Sequence, residues 1–423
     1  MTELPTGWTR ASLGDIAKWG SGGTPSAGNP AFYGGDIPWA VIGDLTEGLV
    51  TRTKASITEA GLSKSAAKLV PEGAILIAMY GASIGRLGIT ARPMATNQAI
   101  AHALTTDRLN PKFLFYYLLS QKRGFVAAGK GAAQPNIGQA ILKAWPIEFP
   151  EDPAEQLRIV DILEDHLSRL DAVDVSFVSV RAKVIALRDA ISASVLFADL
   201  GGEAEHRSRV TVGEVADVDS GPAFKSSLFG GPGEGTRLLR GDNIEPGSLR
   251  WGRTKSWPDS QLGGFEHLLV AEGDIILAMD RPVVSAGLKL ARVTVLDTPA
   301  LLVQRVARIR PRDTVVGDFL YQILSSRQFV HQLLGNQVGT QIPHITLEAI
   351  RRFTFLLPES AVQIAVARQV RAHFESTERV EHDITLASTR SRSLRRSLLA
   401  AAFSGRLTGR SNDMEMVEEM AGV

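Results

Sequence analysis

The stretch Leu69-Val-Pro-Glu-Gly-Ala-Ile-Leu-Ile-Ala-Met79 returns 200 positions later as Leu269-Val-Ala-Glu-Gly-Asp-Ile-Ile-Leu-Ala-Met279, with seven of the eleven residues identical. In each copy a Glu-Gly turn precedes a short apolar run, which predicts buried strands at 74–79 and 274–279. Two such strands in one chain indicate an internal duplication, and this duplication decides how the fold is organised.

Other matches between the two halves keep the same order along the chain. They include Leu13-Gly-Asp-Ile-Ala17 with Val212-Gly-Glu-Val-Ala216, Ser21-Gly22 with Ser220-Gly221, Gly43-Asp44 with Gly241-Asp242, and Pro135-Asn-Ile137 with Pro343-His-Ile345. Because chance similarity does not stay ordered over such a span, each half is one copy of a common unit. Each copy begins with a segment rich in Gly, Pro and short apolar runs, which predicts a mixed α/β globular domain.

A long helix is predicted after each globular domain. The first opens with Asp152-Pro153-Ala154-Glu155, where Asp caps the helix and Pro takes its first position. The second opens with Ser360 and has Gln363 three residues later, the pattern of a capping box. Apolar residues then recur at alternating intervals of four and three, the heptad period of a coiled coil. The seam residues are Ile159, Leu163, Leu170, Val173, Phe177, Val184, Leu187 and Ile191 in the first helix, and Val366, Val370, Val380, Ile384, Leu394 and Leu398 in the second.

Two helices that each carry one seam are expected to pack on each other as an antiparallel pair, each roughly 60–65 Å long at the helical rise of 1.5 Å per residue. The alternative is that each helix folds onto its own globular domain. The predicted fold class is α+β, with two mixed α/β domains separated by two long helices in an antiparallel coiled coil and an internal pseudo-twofold repeat. The predicted boundaries are 1–150 and 200–358 for the globular domains, 151–199 and 359–407 for the helices, and 408–423 for a flexible C-terminal tail.

The composition narrows the function classes. The chain has no cysteine, which excludes a disulfide framework, Cys-ligated zinc and a thiol nucleophile and favours a cytoplasmic location. It begins without a signal-peptide pattern, and its most apolar stretch, Ala74 to Met79, is too short to span a bilayer, so we expect no membrane association. The net charge is +1, yet residues 1–150 hold 14 Lys and Arg against 9 Asp and Glu, a local excess of +5 that weakly favours DNA binding.

No catalytic motif is complete. The run 124–131 is similar to a phosphate-binding P-loop, but Gly131 follows Lys130 where Ser or Thr would hold Mg²⁺. Asn29-Pro-Ala-Phe32 is similar to the Asn-Pro-Pro-Phe motif of DNA amino-methyltransferases, but Ala31 breaks it and no glycine-rich turn for S-adenosylmethionine accompanies it. The eight histidines lack metal-ligand spacing. We expect no catalytic residue and no metal site in this chain.

The order of globular domain, long helix, globular domain and long helix resembles that of the DNA-specificity subunits of type I restriction–modification systems. Local motifs agree with that family over almost the whole chain. They are Leu4-Pro-Thr-Gly-Trp8, Gly23-Thr-Pro25, Tyr33-Gly-Gly-Asp-Ile-Pro-Trp39, Asn97-Gln98, Gln134-Pro-Asn-Ile137, Glu155-Gln156 and Ala402-Phe-Ser-Gly-Arg-Leu407. In the second copy Leu239-Arg-Gly-Asp242 lacks the Pro-Trp and Pro343-His-Ile345 replaces Pro-Asn-Ile, so individual base contacts do not transfer from the family.

The resemblance implies a division of labour among subunits. Two target-recognition domains would each read one half of a bipartite site in double-stranded DNA, and the helix pair would set the gap between the halves. Two modification subunits would bind this chain and methylate adenine with S-adenosylmethionine, and restriction subunits would use ATP and Mg²⁺ to translocate and cut unmodified DNA. This chain would be a non-catalytic subunit that binds none of these cofactors itself.

Direct readout of base edges requires polar side chains such as Arg, Lys, Asn and Gln on loops. The candidates in the first domain are Ser83, Arg86, Lys130, Gln134 and Asn136, and those in the second are Arg240, Arg281, Lys289, Gln341 and His344. The alternative for each is an ordinary solvated loop residue.

Two other functions fit the same sequence. One is the specificity module of a different modification system, which the neighbouring genes would distinguish. The other is a duplicated coiled-coil scaffold that does not bind DNA, which a steep salt dependence of binding to random duplex would exclude.

Overall fold

A computed structural model of the chain describes residues 4–131, 135–197, 208–252, 254–284, 287–335, 344–407 and 413–422. The chain forms two compact units. Unit 1 comprises Met1–Val178 and Thr385–Val423, and unit 2 comprises Ser179–Ile384. The division falls within the long helices, so each unit contains one globular domain and a part of each helix.

In unit 1 the globular domain is built from three sheets with short helices. Its strands are β1 (Trp8–Ser12), β2 (Ala17–Ser21), β3 (Tyr33–Ala40), β4 (Leu49–Val50), β5 (Ala55–Ile57), β6 (Leu69–Val70), β7 (Ile75–Ala78), β8 (Leu87–Thr90), β9 (Met94–Thr96), β10 (Ile100–Thr105) and β11 (Pro146–Pro150). Its helices are α1 (Leu13–Ile16), α2 (Glu59–Ser63), α3 (Pro111–Ser120), α4 (Lys122–Ala128) and α5 (Gln139–Ala144), followed by the first long helix, α6 (Pro153–Phe197). The sheet orders are β1-β11, β2-β10-β7-β8-β4 and β5-β3-β9-β6.

In unit 2 the globular domain repeats this plan. Its strands are β12 (Ser208–Thr211), β13 (Ala216–Ser220), β14 (Thr236–Leu239), β15 (Ile244–Glu245), β16 (Ser248–Leu249), β17 (Ser256–Trp257), β18 (Ile275–Ala278), β19 (Val283–Val284), β20 (Gly287–Leu288), β21 (Leu290–Arg292), β22 (Ala300–Leu302), β23 (Val306–Pro311) and β24 (Thr354–Leu357). Its helices are α7 (Val212–Val215), α8 (Gly317–Ser325), α9 (Arg327–Leu334) and α10 (Leu347–Arg351), followed by the second long helix, α11 (Ser360–Phe403). The sheet orders are β12-β24, β13-β23-β18-β21, β17-β14-β22, β15-β16 and β19-β20.

The shared topology confirms the duplication and the mixed α/β class. The order β2-β10-β7-β8 recurs as β13-β23-β18-β21, and the parallel pair β3·β9 recurs as β14·β22. The predicted buried strands are β7 and β18, and every residue in both is buried. A Cβ atom on Gly22 would lie 1.9 Å from the carbonyl oxygen of Thr96, and one on Gly221 would lie 2.0 Å from that of Leu302. The matched glycines are therefore required by a close backbone approach that both domains share.

Side chains cap the starts of α3 and α6, and the start predicted for α6 at Asp152 is confirmed. The Asn110 side chain accepts from the backbone N–H groups of Lys112 at 2.9 Å and Phe113 at 3.3 Å at the start of α3. Asp152 Oδ1 accepts from the backbone N–H of Ala154 at 2.9 Å at the start of α6. Each contact satisfies backbone donors that the first helical turn leaves without partners.

The predicted capping box at Ser360 is wrong, because Gln363 binds the globular domain instead. Its Oε1 accepts from the backbone N–H of Val316 and its Nε2 donates to the carbonyl of Pro358, both at 2.7 Å. In unit 1, Gln156 makes the matching bonds to the backbone N–H of Asn110 at 2.7 Å and the carbonyl of Pro150 at 2.8 Å. Both glutamines are 1% exposed. A buried amide needs partners, and these two amides attach each long helix to the domain that precedes it.

Within unit 1 the two long helices run antiparallel. Arg158 Nη2, near the start of α6, donates to the carbonyl of Leu407 at 3.0 Å, just beyond the end of α11. Asp171, further along α6, pairs with Arg395, further back along α11, at 2.6 Å. Both helices also enter the hydrophobic core of the domain, which includes Leu163 of α6. The helices therefore pack on each other and on the globular domain, so the two arrangements considered from the sequence coexist.

Within unit 2 the same helices also meet. Arg188 Nη1 of α6 lies 3.8 Å from Glu381 Oε1 of α11, and its guanidinium lies 4.5 Å from the ring centroid of Phe374. Arg327 Nη1 of α9 lies 3.1 Å from Asp189 Oδ2, which connects α6 to the globular domain. Val370 of α11 is fully buried in the core of this domain.

The predicted seam residues differ in burial along the two helices. Seven seam residues are buried, namely Ile159, Leu163, Val184, Val366, Val370, Ile384 and Leu398, and Leu170, Phe177, Ile191 and Leu394 are half-buried. The seam prediction is wrong for Val173, Leu187 and Val380, which are 41%, 52% and 40% exposed. Two helices cover only a narrow stripe of each other, and in the described part of the chain these three residues belong to neither hydrophobic core. One side of each therefore faces solvent.

The flexible tail predicted at 408–423 is wrong for its larger part. Residues Asp413–Ala421 form helix α12, in which Val417 is fully buried in the core of unit 1. Apolar residues at helical spacing, with Met414 and Met416 beside the same core, explain the packing. Among the described residues, no helix has the length and apolar character needed to cross a membrane.

Candidate nucleic-acid interface

In unit 1 the segment after strand β7 lies beside the segment that contains Asn136. The backbone N–H of Ile137 donates to the carbonyl of Met79 at 3.0 Å, and that of Gly81 donates to Pro135 at 2.8 Å. Lys130 and Asn136 exchange two backbone hydrogen bonds of 2.9 Å. The structure therefore brings together the loop carrying Ser83 with Lys130 and Asn136 at the carboxyl end of a buried strand.

Unit 2 builds the same junction after strand β18. The backbone N–H of Ile345 donates to the carbonyl of Met279 at 2.8 Å, as Ile137 does to Met79. Asp280 forms an antiparallel β-bridge with His344, as Tyr80 does with Asn136. His344 and Arg281 therefore lie together at this strand end. The candidates Gln134 and Gln341 lie outside the described residues.

Arg86 and Lys289 occupy equivalent positions. The carbonyl of Arg86 accepts from the backbone N–H of Ala78 at 2.9 Å, and that of Lys289 accepts from Ala278 at 3.0 Å. The Arg86 side chain is exposed, whereas Lys289 Nζ donates to the carbonyl of Gly241. Lys289 therefore holds the loop in which Arg240 lies 3.6 Å from Asp242. The backbone N–H of Lys289 donates to the carbonyl of Pro282, next to Arg281, at 2.7 Å.

A fourth backbone position completes the junction in both domains. The backbone N–H of Met79 donates to the carbonyl of Ala99 at 2.9 Å, and that of Met279 donates to Arg305 at 3.0 Å. We call the four equivalent positions the strand-end cluster. Its members are Tyr80, Gly81, Ala99 and Asn136 in unit 1, and Asp280, Arg281, Arg305 and His344 in unit 2. One backbone arrangement thus carries a neutral cluster in the first domain and a charged cluster in the second.

The charged cluster is organised around one carboxylate. Asp280 Oδ1 lies 2.6 Å from His344 Nδ1, and Asp280 Oδ2 lies 2.6 Å from Arg305 Nη1. Desolvation raises the pKa of the Asp280 carboxyl, but the hydrogen bonds from Arg305 and His344 outweigh it and hold the pKa below its usual value. Asp280 is therefore ionised at neutral pH, and His344 Nδ1 is the donor in their hydrogen bond.

Two arginines of this cluster have left-handed backbone conformations. Arg281 has φ +46° and Arg305 has φ +64°, and the only other non-glycine residue with positive φ in the described chain is Glu47. In unit 1 the position of Arg281 is taken by Gly81, with φ +62°. Side chains with a Cβ atom avoid this region, and strained backbone of this kind concentrates at functional sites.

Sequence reasoning identified Arg281, His344 and Asn136 but missed Asp280 and Arg305. The internal repeat contains a signal that identifies Arg305. Aligning Gln98-Ala-Ile100 with Gln304-Arg-Val306 extends the duplication and places Arg305 opposite Ala99. Among the described residues no group of His, Asp and Glu could hold a metal ion. The junction offers hydrogen-bond donors and acceptors on exposed loops, which is the chemistry of a recognition surface.

Comparison with known proteins agrees with this interpretation. The family model described as "Type I restriction modification DNA specificity domain" matches residues 5–173. The type I restriction enzyme MjaVIII specificity subunit of Methanocaldococcus jannaschii is 25% identical over 378 residues, covering 88% of this chain and 87% of that protein. The EcoAI specificity subunit of Escherichia coli is 36% identical over 152 residues, covering 35% of this chain and 25% of that protein.

Solved structures share the fold of most of the chain. A chain from a study titled as the structural basis of complex assembly and conformational transition of the type I R-M system matches with a TM-score of 0.79 and 16% identity, over 96% of this chain and 100% of that chain. The HsdS subunit from Thermoanaerobacter tengcongensis matches with a TM-score of 0.56 and 17% identity, over 96% and 99% of the two chains.

Proposed function

Because the chain belongs to the family of type I restriction–modification DNA specificity subunits, we propose that it reads a bipartite sequence in double-stranded DNA and positions the subunits that act on it. The observation that carries this proposal is the strand-end cluster. Two domains of one topology place chemically different side chains at equivalent positions, which are half-buried in unit 1 and mostly exposed in unit 2. Two different half-sites require this combination, since base identity is read by side chains at the groove edges rather than by the framework.

The long helices support the second part of the proposal. The helices α6 and α11 contain 45 and 44 residues, and each is attached to its domain by a buried glutamine. We infer that they set the spacer between the half-sites and carry the binding surface for partner subunits. This chain has no catalytic role of its own. Methylation with S-adenosylmethionine is the work of modification subunits, and cleavage with ATP and Mg²⁺ is the work of restriction subunits.

The experiment is to co-express the full chain with a modification subunit of the same system and to map methylated adenines across the host genome. We expect one motif with two defined halves and a spacer of fixed length. Inserting seven residues into both α6 and α11 should lengthen the spacer and leave both halves unchanged. A methylated motif without a spacer would contradict the bipartite reading.

A second assay tests whether the chain binds DNA directly. Binding of the purified full chain to random duplex should weaken steeply as salt rises, because each phosphate contact releases counterions. A salt-independent or undetectable interaction would favour a scaffold that does not bind DNA.

A further inference from the structure

We propose that Asp280, Arg281, Arg305 and His344 form the base-reading cluster of the second half-site, in which the two arginines recognise guanine and Asp280 positions Arg305 and His344. This inference rests on the proposed function, since it names which bases one domain reads and with which atoms. It predicts that the cluster of unit 2 prefers G·C base pairs and that the neutral cluster of unit 1 does not.

The geometry favours an oriented cluster over separate surface charges. A single carboxylate uses one oxygen for His344 and the other for Arg305, at 2.6 Å each. The Arg305 and His344 side chains are nevertheless 68% and 52% exposed, so their remaining hydrogen-bonding atoms are open to a ligand. With Nδ1 of His344 donating to Asp280, its Nε2 is the atom left for a base or a phosphate.

The strained backbone indicates a specific use for Arg281. Gly81 holds the same left-handed conformation in unit 1, and a Cβ atom there would meet nothing within 4 Å. The fold therefore needs no arginine at this position, and glycine would satisfy the backbone better. The Arg281 side chain is exposed and makes no hydrogen bond or ion pair with any residue that the structure describes. An arginine kept in a strained position without a partner among the described residues is suited to an external one.

The chemistry of the donors selects the base. Arginine presents parallel N–H groups that match the O6 and N7 acceptors of guanine in the major groove, the commonest specific contact between proteins and DNA. Asp280 uses one edge of the Arg305 guanidinium and leaves the others free. The Asp280 carboxylate only accepts hydrogen bonds, so it does not suit the acceptor-rich edge of guanine. Its role is to orient Arg305 and His344.

A purely structural role for the cluster does not fit the comparison with unit 1. The same junction forms around Tyr80, Gly81, Ala99 and Asn136, none of which is charged. Ion pairs as exposed as the one between Asp280 and Arg305 contribute little to stability.

The test is selection of bound duplexes from a random library with the purified full chain, followed by sequencing. Wild-type protein should enrich a motif with two halves, one of which contains guanine at defined positions. Arg305→Ala and Arg281→Ala should each lower the preference for guanine by about 10- to 100-fold at one position of that half. The other half and the affinity for random duplex should stay unchanged. Asp280→Ala should weaken the same position as Arg305→Ala, and at that position the double variant should be no worse than Arg305→Ala alone.

Arg312→Ala is the matched control. Arg312 directly follows the other end of strand β23, is exposed, and pairs with Asp217 at 2.6 Å, so it loses the same charge away from the cluster. It should leave the selected motif unchanged. The inference is overturned if Arg305→Ala keeps the wild-type motif, or if it weakens all sequences alike as a phosphate contact would. If wild-type protein enriches no motif at all, the proposed function itself fails and this inference falls with it.

Discussion

The two globular domains have one topology but differ in the charged pairs that cross their sheets. In unit 1, Gly20 lies opposite His102 across β2 and β10, whereas in unit 2, Asp219 lies opposite Arg308 across β13 and β23. Arg308 is 5% exposed and binds both oxygens of Asp219, at 3.0 and 2.5 Å. The sheet keeps its order in both cases, so its register does not depend on these pairs. The alternating apolar residues that face the core specify it.

A second pair of equivalent residues differs between the domains at the start of the buried strands. Ala74 packs in an apolar cluster with Leu104 in unit 1. The equivalent residues of unit 2, Asp274 and Arg310, form two hydrogen bonds of 2.7 Å. Those bonds raise the pKa of the Arg310 guanidinium further above its already high value. At this site the duplicated framework accepts either a pair of apolar side chains or an ion pair. Polar residues can therefore differ between the two domains without a change of fold.

The largest expected effect comes from exchanging the region in which the copies differ. Replacing residues 200–358 with the matching domain of a relative should change one half of the methylated motif completely, because specific sites bind roughly 10³–10⁷-fold more tightly than random DNA. The other half and the spacer should remain. Methylation mapping in a host that expresses the chimaera provides the measurement. A change in both halves would replace the modular description with a single composite surface.

The ionic pair of unit 2 gives the next largest effect. Arg310→Leu leaves the Asp274 carboxylate, which is 1% exposed, without its cation, so it should destabilise the protein by roughly 3 kcal/mol. The double variant Asp274→Ala, Arg310→Leu restores the pair found in unit 1 and should lie within about 1 kcal/mol of wild type. The midpoint of urea unfolding reports both. Arg312→Leu removes an exposed pair and serves as the control, with an expected loss below about 1 kcal/mol. A double variant as unstable as the single one would contradict the equivalence of the two sites.

The buried glutamines test a feature that the copies share. Gln156→Leu and Gln363→Leu each leave backbone groups without partners and should cost about 2 kcal/mol. Gln156 should cost more, since it also donates to the carbonyl of Arg108 at 3.0 Å, a third hydrogen bond in addition to the two that Gln363 makes. Thermal unfolding measures the loss, and hydrogen exchange in the first turns of α6 and α11 locates it. Unchanged exchange in both helices would show that neither glutamine attaches its helix to the domain.

These features mark the limit of sequence-based prediction. The duplication, strands β7 and β18, the start of α3 and the two long helices were all predictable, because periodic apolar patterns and turn residues encode them locally. Gln363 was assigned to a capping box because local spacing says nothing of a distant partner such as Val316. Leu187 was assigned to the seam because a heptad pattern does not reveal which of its positions a second helix covers.

The strand-end cluster was less predictable than the fold. His344 and Arg281 stand in segments that the repeat already marks as divergent. Asp280 and Arg305 lie 25 residues apart in sequence and meet only because β18 and β23 are neighbours in the sheet. A carboxylate that orients two side chains has no local signature, so only the tertiary arrangement reveals it.

The smallest effect separates stability from recognition at one residue. Arg281→Gly installs the residue that unit 1 has at this position, and it should stabilise the protein by about 1 kcal/mol. The gain from relieving a left-handed backbone exceeds the entropy that glycine loses on folding. The same substitution should lower the guanine preference of the second half-site, so stability and specificity should move in opposite directions. Gly81→Ala is the matched control in unit 1. A Cβ there meets nothing within 4 Å, so the strain of φ +62° alone should cost about 1 kcal/mol. Thermal unfolding of both variants, with duplex selection for Arg281→Gly, provides the measurement. An Arg281→Gly protein that is less stable than wild type would mean that the arginine supports the fold of the loop, and the difference between the two clusters would then be structural rather than a difference in the bases they read.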